Sequence, residues 1–117
     1  MAEEKRTQGI TTVAPDVVLN IARLTTLGIE GVSQMSINTN VSSIFQRGNQ
    51  SSGVRVLIEE KVVFIDLHVV LESDVNVRQV SRTIQNDVAR AIKEMVGLEI
   101  GEIKIHVEDI NYTSENI

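Results

Sequence analysis

The chain has no cysteine, no tryptophan and a single proline, and its only aromatic residues are Phe45, Phe64 and Tyr112. Without cysteine there are no disulfides, thiolate metal sites or cysteine nucleophiles. With so few aromatics, any core must be built from Val, Ile and Leu. Basic charge is also short: 11 Lys and Arg stand against 16 Asp and Glu, for a net charge of −5. An acidic domain repels phosphate backbones and anionic lipid, which argues against a nucleic-acid partner. No apolar run approaches the ~20 residues of a membrane-spanning helix, so no direct transmembrane insertion is expected. Met1 to Gln8 are polar and lack the apolar stretch of a secretion signal. The absence of cysteine is compatible with a reducing cytoplasm.

What remains is the composition of a folded domain: 42% hydrophobic and 23% charged residues in 117 positions. That length suits one core and one domain. The expected organisation is a polar N-terminal tail over 1–8, one domain over 9–110 with a long loop over 38–53, and a short C-terminal tail over 111–117.

The order of elements follows from periodicity. Gly9 to Val13 is rich in β-branched residues and reads as a strand. Pro15 suits the first turn of a helix, Asp16 favours its positive end, and Val17, Ile21 and Leu24, with Val18 beside them, recur at helical spacing. Gly28 fits a left-handed helix stop. Gly31 to Ile37 alternates weakly as a strand, and Asn38 to Gly53 has loop composition. Val54–Glu59 and Val62–Leu71 read as a hairpin around Glu60-Lys61. Its register is set by aliphatic pairing: Val54 faces Leu67, Val56 faces Ile65 and Ile58 faces Val63, with Arg55–Asp66 and Leu57–Phe64 on the other side. Asn76 and Gln79 have capping-box spacing at the start of a long helix. Its apolar stripe is Val77, Val80, Ile84, Val88, Ile92 and Met95, and Gly97 ends it. Glu99 to Ile110 alternates as a last strand. The expected fold class is α+β: a two-layer sandwich ordered β-α-β-β-β-α-β, with a mostly antiparallel sheet and two helices on one face.

Several of these stretches carry a family likeness. They are Gly9 to Val18 with Ile21-Ala22-Arg23, then Gly31-Val32, then Gly53 to Val56 leading to Ile65-Asp66-Leu67-His68-Val69-Val70. Further along come Val77, Val80, Ile84 to Val88, Gly97 to Ile100, and Ile105 to Ile110. Together they resemble the alkaline shock protein family, including general stress proteins of the Gls type. The resemblance implies a non-enzymatic, cytoplasmic protein of cell-envelope homeostasis and stress response, with no active site and no cofactor. It implies self-association into a homo-oligomer, or capture by a membrane-anchored protein partner at the inner face of the cell membrane. Another branch of the family implies an accessory or regulatory link to fatty-acid and lipid metabolism.

The residues offer two candidate interaction features. One is the outer sheet face, with Arg55, Leu57, Val62, Phe64, Asp66, His68 and Val70, where a half-apolar open surface suits a protein partner. An ordinary sheet face with scattered apolar residues is the competing reading. The other is the apolar turn Val41-Ile44-Phe45, which either docks on a partner or folds inward to cap the core. For chemistry, His68 and His106 share the outer face in phase with Asp66, Glu102 and Glu108. Two imidazoles and a carboxylate would suit zinc or nickel if their strands were neighbours. No local ligand spacing supports that alternative, and solvated strand histidines are the simpler expectation. The serines Ser42-Ser43 and Ser51-Ser52 have no adjacent base, so nucleophilic catalysis has no constellation to work with.

Overall fold

The computed structural model describes residues 12–36, 50–51 and 53–112. In chain order the elements are helix α1 (Pro15–Leu27), strand β1 (Val32–Met35), strand β2 (Gln50–Ser51), strand β3 (Val54–Glu59), strand β4 (Val62–Glu72), helix α2 (Val77–Val96) and strand β5 (Glu99–Asn111). The α+β two-layer arrangement follows expectation. The leading strand expected over Gly9–Val13 falls partly on residues 9–11, outside the described residues, and Thr12 and Val13 carry no strand. A two-residue strand, β2, lies inside the expected loop instead.

β4 is the central strand. β5 runs parallel along one edge from Val62↔Glu99 to Glu72↔Asn111. The opposite edge is shared end to end by two antiparallel partners. β3 pairs from Val54↔Leu67 to Glu59↔Val62, and β1 pairs from Val32↔Leu71 to Met35↔Val69. The expected hairpin register is the observed one. Glu60 and Lys61 both have positive φ (50° and 72°), the twist that a two-residue hairpin turn needs.

The junction between β1 and β3 falls at His68. Its amide donates to the Gly53 carbonyl at 2.8 Å, and its carbonyl accepts from the Ser36 amide at 2.8 Å. Gly53 has φ +83°, and a Cβ there would lie 2.6 Å from the Ser36 carbonyl oxygen and 2.9 Å from that of His68. Only glycine lets the two chain segments meet there without moving backbone.

Alternation along β4 divides the sheet. Val63, Ile65, Leu67, Val69 and Leu71 point to one face and are buried. Both helices cover that face. α2 contributes Val80, Ile84, Val88 and Ile92 at strict fourfold spacing, and Ile103 of β5 closes the layer. The Asn76 side chain caps α2 by accepting from the Gln79 amide at 3.0 Å, and Gly97 ends it in the left-handed conformation. The stripe's expected ends are not covered: Val77 is exposed, and Met95 is 69% exposed.

α1 is rotated by more than ~100° from the expected face. Val18, Leu19, Ala22 and Thr26 are buried, while Val17 is exposed and Leu24 is 60% exposed. The reason is steric and polar. Ala22 permits close approach to the sheet, and the buried Thr26 hydroxyl is satisfied by donating to the Ala22 carbonyl at 2.7 Å. Gly28 takes a right-handed conformation (φ −85°), not the expected left-handed one.

Two substitutions test this packing. Ile84→Ala, at a fully buried position, is expected to lower unfolding free energy in urea by ~2–5 kcal/mol. Gly53→Ala is expected to cost more than ~1 kcal/mol in the same assay, through backbone strain and crowding at the β1–β3 junction.

Candidate functional site

The sheet face away from the helices is the candidate site, and the even-numbered residues of β4 run through its centre. Across it, Arg55 pairs with Asp66, Leu57 with Phe64 and Glu59 with Val62 on the β3 side. On the β5 side, Phe64 pairs with Glu102, Asp66 with Lys104 and His68 with His106.

The apolar candidates are unequally available. Leu57 is 50% exposed, and Val62 and Phe64 are half-buried. Phe64 has a definite seat. A Cβ on Gly101 would lie 2.6 Å from the Phe64 ring and 2.8 Å from a Val62 methyl, so the ring occupies the space above the glycine backbone. Gly101 is also the extra residue of a bulge, since Val63 pairs with Ile100 and Phe64 with Glu102. Val70 is a correction: it lies on this face but is only 9% exposed. It is flanked by its partner Gln34 of β1 and by the second β5 bulge, where Val69 pairs with Val107 and Val70 with Asp109. Ile44 and Phe45, with the Val41-Ile44-Phe45 turn, lie outside the described residues.

The structure brings His68 and His106 together as direct neighbours on parallel strands. Their rings stack with centroids 4.4 Å apart and planes 11° from parallel. Each ring also reaches a carboxylate on the other's strand. His68 Nδ1 lies 2.8 Å from Glu108 Oε2, and His106 Nε2 lies 3.4 Å from Asp66 Oδ1. An ionised carboxylate only accepts, so those two ring nitrogens carry the protons that are donated. The side chains are partly accessible, at 22% for His68 and 42% for His106. Glu108 is the extra residue of the second bulge, and that bulge aims its carboxylate at His68.

This geometry does not favour one metal ion. Nearly parallel ring planes keep the nitrogen lone pairs from converging, and Glu102 joins neither histidine among the described contacts. Among the described residues no group of three or more His, Cys, Asp or Glu is arranged to hold a metal. An apolar recess of about 460 Å³ lies at the hairpin end of the sandwich, lined by Val13, Ile58, Lys61, Val96 and Leu98 among others. It is remote in the fold from the paired histidines.

The whole chain can be set beside known proteins. Residues 3–112 match a family described by its cell envelope-related function. The chain belongs to the alkaline shock protein 23 family. This alkaline shock family chain is similar to the uncharacterized protein YqhY of Bacillus subtilis, at 28% identity over 98% of this chain and 87% of YqhY. It is also similar to the uncharacterized protein Spy1614 of Streptococcus pyogenes, at 25% identity over 92% of this chain and 93% of the relative. YloU of Bacillus subtilis matches at 25% over 74% of this chain. Among solved structures, two variants of MamM CTD share the fold, each with a TM-score of 0.56 over 80% of this chain, at 15% and 14% identity. That likeness is of fold alone. Among the described residues of this family member, no helix is long and apolar enough to cross a membrane.

Sequence phase alone put both histidines on one face, but their adjacency depends on the β4–β5 pairing, which periodicity does not encode. The seat of Phe64 was missed. A glycine inside an alternating strand, Gly101, was the available signal for it. Gly101→Ala is expected to push the Phe64 ring outward, shift the Phe64 ring and Val62 methyl resonances, and lower stability by ~1 kcal/mol. Unchanged Phe64 and Val62 resonances in the variant would show that the ring does not rest on the glycine.

Proposed function

We propose that this alkaline shock family protein is a non-enzymatic protein-interaction module whose docking surface is the open sheet face, and that a second copy of the chain docks there. The observation that carries this reading is the face itself. Leu57, Val62 and Phe64 form an apolar patch at the hairpin end of the face, beside a mixed rim in which Arg55 lies on the β3 side and Glu102, Lys104, Glu108 and Asp109 on the β5 side. A two-fold axis along β4 lays β3 of one copy over β5 of the other, brings the two Phe64 side chains toward each other, and sets each Arg55 level with Lys104 and one pair from Glu102 of the other copy.

The family's cell envelope-related function supports action in envelope homeostasis and stress response. It also supports a cytoplasmic position at the inner face of the membrane, held by a membrane-anchored partner. Among the described residues the open face offers stacked, hydrogen-bonded imidazoles beside carboxylates, with no serine hydroxyl hydrogen-bonded to either ring, and this supports a role in binding over catalysis.

Light scattering across a concentration series tests the docking surface. The native chain is expected to self-associate. Phe64→Glu, checked for native circular dichroism, is expected to weaken association by ~10-fold or more, as loss of a central apolar anchor does. A native chain that stays monomeric at every concentration contradicts the self-docking reading. For the anchored partner, crosslinking in native cells followed by separate capture from soluble and membrane fractions is expected to yield a specific membrane-fraction product. Equal recovery of only soluble products contradicts that arm.

A further inference from the structure

The apolar rows of the core run past the point where the two layers close. Along β3, Val54 and Val56 are 0% and 2% exposed, but Ile58, in the same phase, is only half-buried. Along α2, Ile92 is fully buried, and Val96, one turn further on, is half-buried. Both rows run out at the hairpin end of the sandwich, where Val13 and Leu98 complete the walls of the recess of about 460 Å³. We propose that this recess binds an anionic single-chain amphiphile, an alkyl carboxylate, with its tail among Ile58, Val96 and Leu98 and its head at Lys61.

The recess has the size and lining of a small-molecule site: apolar walls with few polar groups, here the side chains of Lys61 and Thr12. Packed interiors leave few voids larger than a water molecule. An aliphatic tail laid between these walls removes apolar surface of both partners from water. The walls are held in place. The Glu99 amide donates to the Lys61 carbonyl at 3.1 Å, which ties the hairpin turn to the residue after Leu98. Gly97, in the left-handed conformation, turns the chain from Val96 into Leu98. A Cβ on Gly97 would meet nothing within 4 Å, so the recess is open on that side.

Lys61 decides the head group. Among the described residues it is the one charged side chain in the lining, and it takes part in none of the described ion pairs. The neighbouring Glu99 carboxylate is engaged by Lys93 at 3.4 Å. One ammonium beside apolar walls suits a ligand with a single negative charge at one end of a hydrocarbon chain. The net charge of −5 opposes anions at long range. Tail burial therefore supplies most of the affinity, and Lys61 sets orientation and head-group preference. Ile58 and Val96 belong to inward-facing rows, so this site is separate from the open sheet face and does not depend on the reading of that face as a docking surface.

The test titrates the full chain with hexanoate, octanoate and 1-octanol below their aggregation limits at neutral pH, following methyl resonances by NMR. Saturable shifts are expected at Ile58, Val96 and Leu98. Octanoate is expected to bind ~10-fold or more tighter than hexanoate, as burial of two further methylenes requires. Lys61→Gln is expected to weaken octanoate by ~2–5-fold and to leave 1-octanol unchanged. Val96→Phe, checked for native circular dichroism, is expected to fill the recess and abolish binding of both. A full chain that shows no saturable shift at these methyls overturns the site; such a recess is closed by the chain itself, whose first eleven residues lead into Thr12 at its rim. Shifts centred on Phe64 and Leu57 instead, or equal affinity for hexanoate and octanoate, also overturn it. Octanoate affinity unchanged by Lys61→Gln, or octanoate and 1-octanol weakened alike, overturns the assignment of an anionic head.

Discussion

Strand β4 is constrained on three of its four sides. Both of its edges are hydrogen-bonded, to β5 on one and to β1 and β3 in succession on the other. One of its faces is sealed by two helices, and the other is open. A strand held this way cannot slip by one residue without turning Leu67 outward and Asp66 inward, and an unpaired carboxylate inside an aliphatic core is heavily penalised. The alternation of β4 therefore determines which side chains stabilise the domain and which remain available to other molecules.

The buried half of that division is chemically uniform. Nearly the whole core is aliphatic, and the one buried polar side chain among the described residues, Thr26, is satisfied within its own helix. Because stability resides in that layer, the opposite face can carry charge, histidine and exposed leucine at little cost to folding. Two bulges in β5 shape that face. One, at Gly101, opens a seat for the Phe64 ring, and the other turns Glu108 toward His68. Bulges commonly re-aim side chains in this way at sheet edges.

Much of the scaffold was legible in the sequence, because the physics that fixes it is local. The β3–β4 register could be read since six aliphatic residues match across a two-residue turn, and any slip breaks the match. α2 could be read from its fourfold spacing and its Asn76 cap. α1 could not be oriented. Its buried face includes Ala22 and Thr26, which hydrophobicity does not mark, while Val17 and Leu24 are apolar yet exposed. The site was legible in phase but not in proximity. Alternation placed His68, His106, Asp66 and Glu108 on one face, whereas their contact depends on a parallel pairing between segments 40 residues apart. The burial of Val70 was hidden for the same reason, since its flanking groups come from β1 and from an inserted residue in β5.

The account stands on the open face, and not the exposed apolar residues of the helices, being the surface that meets other molecules. Chemical-shift mapping of the full chain across a concentration series tests this most directly. The account predicts concentration-dependent shifts at Leu57, Val62, Phe64 and His106, with Val17, Leu24 and Met95 unchanged. Shifts confined to Val17 and Leu24 on α1 or to Met95 on α2, with the sheet face silent, would contradict it.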